Sequence, residues 1–408
     1  MRLDLGLIIG LLTVIWCNGE EDSTERPGEC VQGCKCAGRT LECSELELDR
    51  IPAEWPTHYE KITLRNCTIT TLEKNSFRKF GALEELRIEN CNKLDVIDKY
   101  AFKGLQKLKL LNIAGNPKLR EIHRFAFSSI GNQNPLRILL KNNGIEKIHA
   151  YAFKNAHNLR ELYIEDRCYT VEPNGLSSIS RLDFFTLKGA CVLSLNSFSN
   201  TSRVHSLSIL DSTLNLFNGI FDQLSHVNQI QIRECRLGKL EENTFSGLFT
   251  VGSLQIQTSH IGRVSPRAFV GMENVGVLLI SYTTIREPLG SPECLLHTAH
   301  KLVFSENTLH CSCEMQWIQF HKDQVILSEN YCDRSEAFKA LAYFKPLGCE
   351  PLTTKEPDPV PITSKPTVSE VFIPDGIRRT QYEAEISTAA SDVCTFFCIL
   401  VFLLLMNF

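Results

Sequence analysis

The chain has little that would mark an enzyme or a nucleic-acid-binding protein. Lys and Arg together number 43 against 47 Asp and Glu, a net charge of −4. That near balance implies no nucleic-acid surface. Neither H-E-x-x-H nor G-x-S-x-G occurs, and the string from Gly290 to Cys294 has neither the glycine spacing nor the lysine of a phosphate loop. The eleven histidines are scattered, and His297 and His300 read as loop residues. No catalytic residue, cofactor, metal ligand set or small-molecule substrate is expected. Long apolar runs are also missing. Leu5–Trp16 and the fourteen residues Val393–Met406 both fall short of the about 20 residues that span a bilayer as helix.

What the sequence does have is a repeat. In the string beginning Val227-Asn228-Gln229, Val227, Ile230 and Ile232 are spaced L-x-x-L-x-L, and Cys235, Leu237, Leu240 and Phe245 follow. The same frame fits Val251, Leu254, Ile256, Ser259, Ile261, Val264 and Phe269. Taking the Cys/Asn slot as marker gives Cys67, Cys91, Asn116, Asn143, Arg167, Ala190, Ser212, Cys235, Ser259, Thr283 and Asn307, each 22–27 residues after the last. L-x-L places two apolar side chains on one side of a short strand. The slot residue turns inward, where Asn satisfies backbone groups of the neighbouring coil better than Cys, Ser or Thr. One coil cannot bury its own core, so coils must stack. Phe77, Phe102, Phe127, Phe153, Phe245 and Phe269 recur at the period and are read as core. The frame weakens around Arg167 and Ala190, where irregular convex loops are expected with the strands kept.

Seventeen cysteines are present, and 14 remain once Cys17, Cys394 and Cys398 at the two ends are set aside. That number implies disulfides in an oxidising compartment. The leading cluster Cys30, Cys34, Cys36, Cys43 allows three connectivities, with zinc as the rival reading. Cys168 and Cys191 each follow the slot by one residue in adjacent coils. Neighbouring strands lie about 4.8 Å apart, within bridging reach, so these two are expected to pair. Cys67, Cys91 and Cys235 fill the inward slot as buried thiols, and Cys294 has no evident partner.

Period, slot and caps together resemble extracellular leucine-rich repeat proteins of the cell surface, the adhesion, guidance and recognition type. The implied fold is an α/β solenoid: a horseshoe with a parallel concave sheet of about eleven strands and disulfide caps at both ends. The resemblance of the first cluster to the N-terminal cysteine cap implies Cys30–Cys36 and Cys34–Cys43. That of the string Leu309 to Ile318, with Cys311, Cys313 and Trp317, to the C-terminal cap implies Cys311–Cys332 and Cys313–Cys349. The order of segments also resembles the variable lymphocyte receptors of jawless vertebrates, and the inserted residue in the strings at Cys91 and Asn116 the ectodomains of glycoprotein hormone receptors. The expected organisation is a signal peptide at 1–19, an N-terminal cap at 20–58, repeats at 59–308, a C-terminal cap at 309–350, a Pro/Thr/Ser-rich stalk at 351–386 and an anchor signal or membrane tail at 387–408. Small residues from Ser387 before a short apolar tail resemble a glycosylphosphatidylinositol attachment signal, with a short spanning tail as alternative. Asn66 and Asn200 head N-glycosylation sequons.

The concave face shows, between the two leucines of each strand, the row Thr63, Arg87, Asn112, Leu139, Tyr163, Thr186, Ser208, Gln231, Gln255, Leu279, Val303. It is mostly polar. Leu139 and Tyr163, with Phe184 beside them, break that pattern, and Arg137, Lys141, Glu161, Glu165 and Asp166 surround them. Aromatics with nearby charge resemble a protein-binding hot spot; packing of an irregular sheet is the plainer alternative. The function expected is non-catalytic binding of a protein ligand or neighbouring cell, at the outer leaflet of the plasma membrane. The alternatives are a secreted extracellular-matrix protein and a receptor subunit acting with a signalling co-receptor.

Overall fold

The computed structural model describes residues 30–345, apart from 180, 202, 222–223, 225, 273, 291–294, 296–298, 320 and 334–339. The expected signal peptide, stalk and anchor segment, with Ser387, Cys294 and Cys349, lie outside the described residues. Among the described residues no helix is long and apolar enough to cross a membrane.

The L-x-L segments become strands because alternate side chains share one face. Ile62 and Leu64, Leu86 and Ile88, and Leu162 and Ile164 are all buried, and the residues between them face outward. Thirteen strands follow one another in one path, from Cys34–Ala37 to Ala299–Ser305. The first pairs antiparallel with Thr40–Ser44, and all later neighbours are parallel, as a coil that returns to the same edge each turn requires. Eleven of these strands come from the repeats, and Thr40–Ser44 of the N-terminal cap adds one more. The backs of the later coils form a second, short-stranded parallel sheet from Thr213–Leu214 to Tyr331–Cys332.

Two ladders run the length of the solenoid. One is polar and lies behind the strands. The backbone N–H of Cys91 donates to Asn116 Oδ1 (2.9 Å), that of Asn116 to Asn143 Oδ1 (3.3 Å), and that of Asn143 to Asp166 Oδ2 (3.2 Å). Further on, Ser212, Ser259, Thr283 and Asn307 accept in the same way. Asn330 of the C-terminal region accepts the N–H of Asn307 at 3.0 Å and so closes the series. The inward residue of the fifth coil is therefore Asp166, one position earlier than the slot assigned from sequence, and Arg167 is exposed. A carboxylate can accept these N–H groups; a guanidinium, which only donates, cannot. The second ladder is aromatic. Phe77, Phe102, Phe127 and Phe153 stack with centroids 5.0–5.6 Å apart. The stack resumes through Phe198, Phe221, Phe245 and Phe269.

The weak coils differ from expectation. Irregular convex loops are expected there, but the structure has instead the two longest strands, Leu159–Val171 and Leu182–Leu193. Their pairing continues past the usual strand end to Tyr169↔Ala190 and Val171↔Leu193, with register shifts on either side of Tyr169. Ala190 has no side-chain acceptor to divert the backbone, so backbone pairing takes its place. The bend passes through Cys168 (φ 56°) and Gly189 (φ 80°). A Cβ on Gly189 would stand 1.8 Å from the Asp166 carbonyl oxygen, so only glycine fits. Cys168 and Cys191 are disulfide-bonded across this bend, Cα to Cα 4.7 Å.

Disulfides also hold the ends. Cys30 bonds Cys36, and Cys34 bonds Cys43, over the exposed edge of the first coil. Cys311 bonds Cys332, and Cys313 is also disulfide-bonded. Buried Trp317, on a 3-10 helix at Cys313–Gln319, donates its Nε1–H to the Leu289 carbonyl at 2.8 Å. Such covers remove the open end that a stacked array would otherwise expose.

Candidate functional site

The residues singled out from sequence come together on the concave sheet. Leu139, on Leu136–Lys141, is opposite Tyr163, and Glu161 is opposite both Arg137 on one side and Phe184 on the other. Leu139 and Tyr163 are half-buried, and Phe184 is 57% exposed. Phe184 and Tyr163 are two register positions apart on adjacent strands, and outward residues at that spacing share a face.

The surrounding charges are mutually satisfied. Arg137 pairs with Glu161. The Lys141 ammonium lies 4.7 Å over the Tyr163 ring, a cation–π contact. Tyr163 donates its hydroxyl to Glu165 at 3.0 Å, and Lys188 of the next strand donates to the same carboxylate at 2.8 Å. The Lys188 hydrogen bond, opposed by burial, holds the Glu165 carboxyl below its ordinary range, and the same bond raises the Lys188 ammonium. Burial, then the Glu165 bond, raises the Tyr163 phenol. At neutral pH the tyrosine is therefore a neutral donor, held between Lys141 and Glu165. The result is a rigid amphipathic shelf whose charges are internally paired, with Phe184 as the projecting apolar group.

Asp166 does not join this shelf, because it is turned inward on Asn143 and Gly144. Lys188 does, and sequence reading missed it. Its signal was its place one coil on from Glu165, directly opposite in register. Phe249 (46% exposed) precedes the strand Thr250–Gln257 and stands outside that face. Asn66 is exposed and lies in the left-handed region (φ 54°), and Asn200 is exposed at φ 58°. Cys67, Cys91 and Cys235 are buried free thiols, and burial pushes Cys235 up to about 11. The hydrogen bond with Cys91 instead lowers Cys67 to about 7.

The chain is similar to several known proteins. Over 232 residues the chain is 25% identical to trophoblast glycoprotein of Macaca fascicularis, which covers 50% of this chain and 55% of that protein. Over 211 residues it is 28% identical to Toll-like receptor 7 of Mus musculus, which covers 47% of this chain and 20% of that one. The chain thus spans about half the length, or less, of these curated relatives. Among solved structures, human 5T4 (trophoblast glycoprotein) aligns over 79% of this chain and 98% of its own at 16% identity, with a TM-score of 0.39. The BspA type leucine rich repeat region matches in six copies, over residues 70–192 and 191–287. With that match extending over more than half of its length, the chain belongs to the BspA-type leucine-rich repeat family.

Proposed function

We propose that this protein is a non-catalytic cell-surface recognition protein that binds an extracellular protein ligand through its concave face. The observation that carries the reading is the shelf of Leu139, Tyr163 and Phe184. An exposed Phe on a rigid sheet, beside a tyrosine whose hydroxyl is already bonded, has the character of a binding hot spot. Arg137, Lys141, Glu161 and Glu165 form its polar rim. A preorganised shelf loses little side-chain freedom on binding. The named relatives support recognition in general, since one of them is named as a receptor.

The disulfides support an oxidising compartment. The proposed organisation keeps a signal peptide at 1–19, caps at 20–58 and 309–350, repeats at 59–308, a stalk at 351–386 and a lipid-anchor signal near Ser387. Glycans at Asn66 and Asn200 would decorate the edges and leave the shelf open. Treatment of expressing cells with phosphatidylinositol-specific phospholipase C tests the anchor: release supports it, and retention favours a spanning tail. A matrix protein is the second reading, favoured if the protein is found only in the medium.

Binding is tested with an array of extracellular proteins. The ligand found there should bind Tyr163→Ala at least about tenfold more weakly, in the range of a hot-spot residue. An unchanged affinity for the folded variant would remove the shelf from the interface.

A further inference from the structure

The backs of the third and fourth coils carry a cluster that the concave reading does not use. Strands Glu121–Ile122 and Lys147–Ile148 pair in parallel, Glu121 opposite Lys147 and Ile122 opposite Ile148. Both isoleucines are buried, so the residues flanking them point outward. His123 and His149 come next on the two coils, their rings 5.4 Å apart and nearly parallel (19°).

Three donor atoms converge there. His149 Nε2 is 2.8 Å from Glu121 Oε2, and His123 Nδ1 is 3.8 Å from the same oxygen. The three ligand atoms all lie within 4.8 Å of one another. Tetrahedral zinc, with bonds of about 2.0–2.1 Å, needs donors separated by about 3.3 Å. Small rotations of three partly exposed side chains bring them to that spacing. Behind His149 stands a fourth residue. Its Nδ1 is 3.2 Å from Glu172 Oε2. Glu172 is itself fixed by the Ala150 N–H at 3.1 Å and by Lys147 at 2.7 Å. A carboxylate on Nδ1–H orients the ring, the usual support of a metal-bound imidazole, and a metal ion would take the place of the hydrogen that Nε2 shares with Glu121.

We propose that Glu121, His123 and His149 form a three-ligand site for a borderline divalent transition-metal ion such as Zn2+, with Glu172 orienting His149. Two imidazoles and one carboxylate suit this class, whereas Ca2+ and Mg2+ take oxygen sets. The fourth position faces solvent and takes water. The rival use of the same contacts is a metal-free ion pair of His149 with its two carboxylates.

The test is calorimetric titration of Zn2+ alone into the purified full-length protein at neutral pH, with Co2+ absorption as a second reading. One equivalent should bind with micromolar affinity. His123→Ala and His149→Ala should each weaken it at least about tenfold, Glu172→Gln should weaken it about tenfold with the stoichiometry intact, and His300→Ala should leave it unchanged. Circular dichroism checks each fold, and Zn2+ should raise the Tm of the parent but not of His149→Asn. Absence of saturable binding below millimolar Zn2+, or binding unaffected by both histidine substitutions, would overturn the site and leave the ion pair as its explanation.

Discussion

Asp166 does with a carboxylate what Asn116 and Asn143 do with an amide: it accepts backbone N–H groups of the preceding coil. The substitution has a cost. Asn143 also donates its amide to the Ile113 carbonyl at 2.9 Å, and an ionised carboxylate has no proton to donate. Burial raises the Asp166 carboxyl despite the N–H groups of Gly144, Asn143 and Ile145, which act to lower it. The folded state therefore keeps this proton to higher pH than the unfolded chain. Stability contributed by the group is present below the unfolded pKa and is lost as pH rises through the folded value. Asp166→Asn should raise stability by about 1 kcal/mol at neutral pH, the worth of one recovered buried hydrogen bond. The gain should shrink when urea unfolding is repeated at acid pH. A variant less stable at neutral pH would show that the charged acceptor outweighs the missing donor. The inward turn of Asp166 was missed because spacing alone admits both Asp166 and Arg167; the signal that separates them is chemical, since a carboxylate accepts backbone N–H groups and a guanidinium cannot.

At the scale of the element, the paired strands Leu159–Val171 and Leu182–Leu193 are where reading and structure part. The L-x-L frame was legible because it is a side-chain pattern. The extension of these strands is backbone pairing, which leaves no such pattern. The cysteines were legible, because one-residue offsets from the slot put Cys168 and Cys191 on adjacent coils. The bond closes a sequence separation of 23 residues, for which loop entropy estimates about 3 kcal/mol. Cys191→Ser should lower the apparent Tm accordingly, and mass spectrometry of non-reduced peptides should find Cys168 linked to Cys191. Alkylated, free Cys168 in the parent protein would contradict the staple. The cluster of Glu121, His123 and His149 was missed because the inserted residue after Asn116 places His123 seven residues past its slot and His149 six past Asn143, so counted offsets do not align them and only the register brings them side by side.

Across the whole molecule the concave face changes character from end to end. Its N-terminal half is laced with cross-strand ion pairs such as Lys61–Glu85 and Arg65–Glu89. Beyond Phe184 most outward positions of the next strands are uncharged, among them Ser206, Ser208, Gln229, Gln231, Ser253 and Gln255, with Arg233 as an exposed charge between Leu210 and Gln257. The shelf stands at the boundary, where an apolar anchor is flanked by charge on one side and neutral polar groups on the other. Its position was legible because the repeat period fixes which residues are neighbours across the sheet. The pairing of its charges was not, because Lys188 and the rotamer of Tyr163 enter only in three dimensions. The most direct measurement is the binding of the parent protein, Phe184→Asp and Phe249→Asp to the same array of extracellular proteins. The concave reading predicts that Phe184→Asp loses the ligand while Phe249→Asp, also an exposed phenylalanine but just outside its strand, retains it. Retention by Phe184→Asp together with loss by Phe249→Asp would contradict it and move the recognition surface off the concave face.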